Sequence, residues 1–151
     1  MDINIQELFI EALVLANGNF YVEAASKFLH IYEHSPSSDL ADDALFNAGM
    51  CYFNLDLFER AIALFELAIK NYPDADIWSY EGGHSFGKTA AKCYYAILNC
   101  YLGLANPEQA KAQIEKLAAY EDSYELTALG QKITYLQLGL NALDSVKQFD
   151  I

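Results

Sequence analysis

"ADDALFNAGMCYFNLDLFERAIALFELAIKNYPDA", residues 41–75, contains two runs in which apolar side chains return every three or four positions. That spacing gathers them on one face of an α-helix, whereas a strand would need alternation. Leu45, Gly49 and Tyr52 mark the first run, and Phe58, Ala61, Phe65 and Ala68 the second. Pro73 follows the second run and stops it, because proline cannot continue a helix. Small residues, Gly49 in one run and Ala61 in the other, let the paired helices approach closely. Tyr52, Phe58 and Phe65 are large enough to fill the space between pairs.

The same frame fits upstream, where Leu8, Ala12 and Leu15 lead to Gly18, Tyr21, Ala24, Phe28, Ile31 and Pro36. It fits downstream with Tyr94, Leu98 and Tyr101, then Ala110, Ile114 and Leu117, although Leu98 replaces the small residue and Asp122 the proline. Helices are expected near 4–17, 20–34, 40–54, 58–72, 87–103, 107–119 and 124–145. Asn106 before Pro107 supplies an N-cap followed by proline at the first helical position. No stretch alternates with period two for long enough to predict a sheet.

On these residues the chain resembles a tetratricopeptide-repeat protein, with repeats near 5–38, 42–75 and 91–124 and an insertion at 76–90. The resemblance implies an all-α, right-handed superhelical stack of helical hairpins in a single domain, closed by a capping helix near 124–145. "SPSSDLADDALFNAGMCYF" with "AIKNYPDAD" is also similar to repeats of bacterial cell-envelope proteins of the Tol–Pal coordinator type.

Length and composition agree with one folded domain: 151 residues, 54% hydrophobic and 14% aromatic. Nine Lys and Arg against 21 Asp and Glu give a net charge of −12, which repels nucleic acid and anionic membrane surfaces. No apolar run approaches the roughly 20 residues of a membrane span. The first residues have no basic segment of the kind that opens a signal peptide. Cys51, Cys93 and Cys100 show no CxxC spacing and read as free thiols in a reducing compartment. The expected location is cytoplasmic, with the periplasm as the alternative if a leader has been removed. His30, His34 and His84 form no ligand-type grouping with the cysteines, so neither metal nor cofactor is expected.

One stretch argues for another class. "GGHSFGKT", residues 82–89, spells the phosphate-cradling pattern G-x-x-x-x-G-K-T. A helix should begin there, but the buried strand that delivers such a loop is missing, and no downstream apolar run ends in a magnesium-binding Asp. The favoured reading is an insertion whose glycines turn the chain into the next helix, and nucleotide binding is the alternative. Its aromatics, Trp78, Tyr80 and Phe86, together with His84, either contact a partner or fold back on the stack.

In a hairpin stack the first helix of each pair lines the inner face. The residues assigned there are Phe9, Leu13, Asn17, Phe46, Asn47, Met50, Phe53, Asn54, Tyr95, Asn99 and Leu102. Aromatics and Met suit apolar side chains of a bound peptide, and Asn amides offer both donor and acceptor to its backbone. Lys92 is the one basic residue of that face, so a clamp for acidic C-terminal tails is not expected. Asp42, Asp43 and Asp56 at its border favour an apolar or basic-amphipathic segment. The function expected is a non-enzymatic adaptor or small chaperone, since no nucleophile–base pair stands out. Self-association as a homodimer through an apolar inner face or an uncapped N-terminal end is the remaining interaction reading.

Overall fold

The computed structural model describes residues 4–78 and 83–147. Seven helices lie among them: α1 (Ile5–Asn17), α2 (Tyr21–His34), α3 (Ala41–Asn54), α4 (Phe58–Asn71), α5 (Thr89–Gly103), α6 (Pro107–Leu117) and α7 (Tyr135–Lys147). Each packs mainly on its neighbours in sequence, so α1–α2, α3–α4 and α5–α6 form successive hairpins, and α7 rests on α5 and α6.

The three hairpins turn in the same way. After each first helix one residue takes a left-handed conformation: Asn19 (φ 69°), Asp56 (φ 59°) and Ala105 (φ 56°). The next amide reaches back five residues, from Phe20 to Leu15, Leu57 to Tyr52 and Asn106 to Tyr101, at 2.8–2.9 Å. The left-handed residue itself donates to Ala16, Phe53 and Leu102 respectively. This double bond pattern is the Schellman motif, which satisfies the last carbonyls of a helix. A helix end made three times over with the same bonds is the backbone form of the repeat.

Packing within a hairpin depends on a missing side chain. A Cβ at Gly49 would lie 2.5 Å from the Phe65 ring, so α3 and α4 touch across the glycine. Buried side chains gather in three successive clusters along the stack. Phe9 and Phe28 join α1 and α2 to α3, Leu45, Phe65 and Ile97 join the second hairpin to the third, and Leu98 and Leu117 pack with Tyr135 at the start of α7. Between hairpins, the Tyr72 hydroxyl donates to the Pro36 carbonyl at 2.5 Å, and the Asn71 amide donates to the Tyr32 hydroxyl at 2.9 Å.

The expectation of no sheet is corrected. β1 (Ser85–Phe86), β2 (Tyr124–Leu126) and β3 (Lys132–Thr134) form an antiparallel sheet in that order. Ser85 pairs with Glu125 and Tyr124 with Thr134. The helix expected over 124–145 is therefore a hairpin followed by α7, which begins only at Tyr135. The hairpin turns through Gly130 at φ 77°, closed by the Thr127 amide on the Gln131 carbonyl at 2.8 Å. Strands of two or three residues are too short for alternation to register, and β1 comes from the far side of the α5–α6 hairpin. The helix expected from 87 begins at Thr89, because Lys88 is extended and Gly87 takes a positive φ of 106°.

Candidate functional site

Two hollows open along α3, the first between α1, α3 and the start of α2, the second between α1, α3, the insertion and Lys92 of α5. The first, about 300 Å³, is lined by Asn17 and Tyr21 beside Asn47, Met50 and Asn54. The second, about 190 Å³, is bounded by Phe9, Leu13, Asp43, Asn47, Trp78 and Lys92, with His84 and Ser85 at its edge. Asn47 belongs to both and joins them into one line along the face.

The residues assigned from sequence to the inner face separate into two groups. Leu13, Asn17, Asn47, Met50 and Asn54 line the hollows. Phe9 borders the second but is only 3% exposed, because Trp78 packs on it edge to face at 5.5 Å. Phe46 is 7% exposed, packed on Phe65 and covered by the Lys92 ammonium 4.3 Å above its ring. Phe53 stacks edge to face on Phe58, and Tyr95 lies against Tyr135. Those rings serve the core, and Tyr95, Asn99 and Leu102 line neither hollow. Three asparagines spend one N–H on their own helix, Asn47 on Asp43, Asn54 on Met50 and Asn99 on Tyr95. Each keeps a second N–H and a carbonyl oxygen for another partner.

Sequence reasoning left Asp43 at the border, but the fold buries it. Both of its carboxylate oxygens accept from the Trp78 amide at 3.2 Å. Burial, reinforced by the neighbouring Asp42 charge, raises its pKa from 3.8 to about 7, against the opposing pull of the Trp78 N–H and Lys92. Burial likewise lowers the Lys92 pKa although Asp43 and Glu125 both favour its charge. The signal available in the sequence was the pair Asp42–Asp43 inside an otherwise apolar helical run, facing an aromatic insertion.

The insertion folds back on the stack at Trp78, and Phe86 stacks on Tyr124 at 5.4 Å. Tyr80 and Gly82 lie outside the described residues. Gly87, Lys88 and Thr89 of the glycine-rich stretch are committed to this junction. The Lys88 ammonium pairs with Asp76 at 2.9 Å and donates to the Asp74 carbonyl at 3.0 Å. Its amide donates to the Ser123 hydroxyl at 2.9 Å, and the Thr89 amide to the Ala75 carbonyl at 3.1 Å. The Thr89 hydroxyl donates to the buried Asp42 at 2.5 Å. Gly87, at φ 106°, lies so close to Ser123 that a Cβ would meet its backbone at 2.5 Å. A phosphate loop needs these amides, this ammonium and this hydroxyl turned outward together. Here each has a partner within the fold.

Elsewhere the chemistry is quiet. All three thiols are buried, and burial pushes Cys51 up to about 11 and Cys100 to about 12, far from the thiolate needed of a nucleophile. His30 and His34 stack at 3.9 Å at the end of α2, with His34 Nδ1 3.1 Å from the His30 carbonyl oxygen. Among the described residues no three His, Cys, Asp or Glu side chains come together as a metal site, and no helix is long and apolar enough to cross a membrane.

A stack of hairpins with repeated turns, a glycine-to-ring contact in the middle pair and a lined inner face defines a helical-repeat protein. Residues 43–75 match the family model of the tetratricopeptide repeat, and the fold is that of a tetratricopeptide-repeat stack. No curated protein matches the sequence. Among solved structures, MamA AMB-1 in crystal form P212121 is similar with a TM-score of 0.57 and 20% identity, over 75% of this chain and 56% of that one. The tetratricopeptide-repeat domain of Arabidopsis FLU gives 0.60 at 16% identity, over 76% and 92% of the two chains. The Hsp90 co-chaperone Cns1 from Saccharomyces cerevisiae gives 0.66 at 14% identity, over 95% and 39%. The chain spans a little over half the length of the MamA structure. At these identities the likeness is one of fold.

Proposed function

We propose that the protein is a non-enzymatic adaptor, or small chaperone, that binds a peptide segment of a partner along the face shared by α1, α3 and α5. The observation that carries this reading is the line of hollows joined at Asn47, with Met50 and Leu13 as apolar contacts and asparagine amides beside them. Peptides in extended or helical form use that combination of apolar pockets and backbone hydrogen bonds. The partner is apolar or basic-amphipathic, in keeping with a net charge of −12. That Cns1 is described as an Hsp90 co-chaperone supports a role among protein partners for this fold. A cytoplasmic location fits three free, buried thiols.

Selection of a random-peptide library on the full chain tests the reading. Enriched peptides should lose at least tenfold in affinity for a Met50→Ala/Asn54→Ala variant whose circular dichroism is unchanged. Unchanged affinity would place binding on another surface.

A second reading rests on a different face. Ile10 and Val14 of α1 are 47% and 65% exposed, and border a broad hollow of about 740 Å³ at the open end of the stack. Homodimerisation through that end would cover them. Sedimentation of the wild type against Val14→Glu distinguishes the two: a dimer lost in the variant supports self-association, and a monomer in both removes it.

A further inference from the structure

We propose that copies of this chain associate head to tail, the open face of α1 in one copy being covered by α7, with α6, of the next. This sharpens the self-association reading and rests on it; the adaptor reading stands apart from it. The repeat itself indicates what kind of element belongs on that face. Counted back from the left-handed turn residue, Glu7, Glu11 and Val14 of α1 take the places of Ala44, Ala48 and Cys51 in α3, and of Cys93, Ile97 and Cys100 in α5. The α3 set is buried in one cluster with Phe28 and Ile31 of α2, and the α5 set in another with Phe65 and Ala68 of α4. The fold thus covers this face with a preceding helix in the second and third hairpins. Among the described residues no helix precedes α1, and Ile10 and Val14 stay exposed beside the broad hollow. Glu7 and Glu11, at places that are apolar in the other hairpins, keep the open end wetted and call for cations on whatever helix covers it.

The other end of the stack carries that complement. A hollow of about 210 Å³ between α6 and α7 is lined by Ile114, Leu140, Leu143 and Val146, together with Lys111, Asp144 and Lys147. Leu140 and Val146 are exposed. Leu140, Leu143, Asp144 and Lys147 form a stripe at i, i+3, i+4 and i+7 on α7, the spacing of Glu7, Ile10, Glu11 and Val14 on α1. The charges of the two ends mirror each other: two carboxylates and Lys27 line the first hollow, two ammonium groups and Asp144 the second. Lys27 lies 3.7 Å from Glu11, whereas Glu7, Lys111 and Lys147 make no ion pair within 4 Å among the described residues. In a chain with nine Lys and Arg against 21 Asp and Glu, most faces repel a second copy. An apolar end bearing two lysines is where the acidic end of another copy meets attraction and apolar contact at once. The joined surfaces are different, so the contact does not close on itself and each added copy leaves both kinds of end open.

Sedimentation of the full chain over a wide concentration range tests this, with Val14→Glu and Leu140→Glu measured alone and mixed in equal amounts. The wild type should grow past the dimer as concentration rises. Each variant alone, with helical circular dichroism intact, should associate at least tenfold more weakly. Each keeps one working end, so the mixture should form a one-to-one dimer and stop there, a gain that loss of structure does not produce. Lys111→Glu/Lys147→Glu should also weaken association at least tenfold, and carries the test if either apolar variant fails to fold. If Leu140→Glu and the lysine variant still dimerise while Val14→Glu does not, two N-terminal ends meet each other: self-association stands and the head-to-tail contact is overturned. A mixture that stays monomeric overturns it as well. A wild type that is monomeric throughout removes both.

Discussion

At Asp43 the fold holds a carboxylate in a place that disfavours its charge, and the cost depends on pH. The group titrates near 3.8 when unfolded and at about 7 when folded. Between those values the folded chain binds the extra proton, so stability falls as pH rises from about 4 to 7 and levels off above. The slope from this group reaches at most about 1.4 kcal/mol per pH unit. Urea denaturation across that range should show the decline, and Asp43→Asn should flatten it; an unchanged slope in the variant would assign the decline elsewhere. Gly49 makes a simpler prediction. Gly49→Ala must displace the Phe65 ring, and should cost about 1–3 kcal/mol in the same assay. Gly49 was legible in the sequence because its partner ring and the repeat frame lie in the same stretch. The role of Asp43 was not, because burial is decided by Trp78, 35 residues away.

Turns and strands show where elements can and cannot be read from one chain. The helices α1 to α4 and α6 follow from apolar periodicity, proline and caps, and their ends fall within two residues of expectation. The common turn geometry was hidden, because Asn19, Asp56 and Ala105 share a backbone conformation without sharing a side chain. Asn and Asp tolerate that conformation, whereas alanine pays for its Cβ there. Ala105→Gly should therefore raise stability by about 0.5–1 kcal/mol, while Gly at position 19 or 56 should gain less; thermal denaturation of the three variants checks the order. The sheet was missed for a related reason. Its strands are local only at Tyr124–Thr134, and the third partner, Ser85–Phe86, is brought in by the packing of the α5–α6 hairpin. Ser123 ties that junction together through the Lys88 amide, and no periodicity announces it.

For the whole molecule, the question is which surface the stack presents. Gly87, Lys88 and Thr89 are absorbed into the joint between insertion, α5 and sheet, so Mg-ATP and Mg-GTP should leave Trp78 fluorescence without a saturable change in the wild type and in Lys88→Ala alike. A saturable response lost in the variant would restore the nucleotide reading. The inner face was only partly legible: the frame indicated α1, α3 and α5, but not that Phe9 and Phe46 would be taken into the core by Trp78 and Lys92. The most direct test of recognition on this face is a two-dimensional amide NMR titration of the ¹⁵N-labelled chain with a library-selected peptide. Binding along the face should move the resonances of Asn17, Asn47, Met50 and Asn54 together with the Trp78 indole. Shifts confined to Ile10 and Val14 at the open end would contradict it.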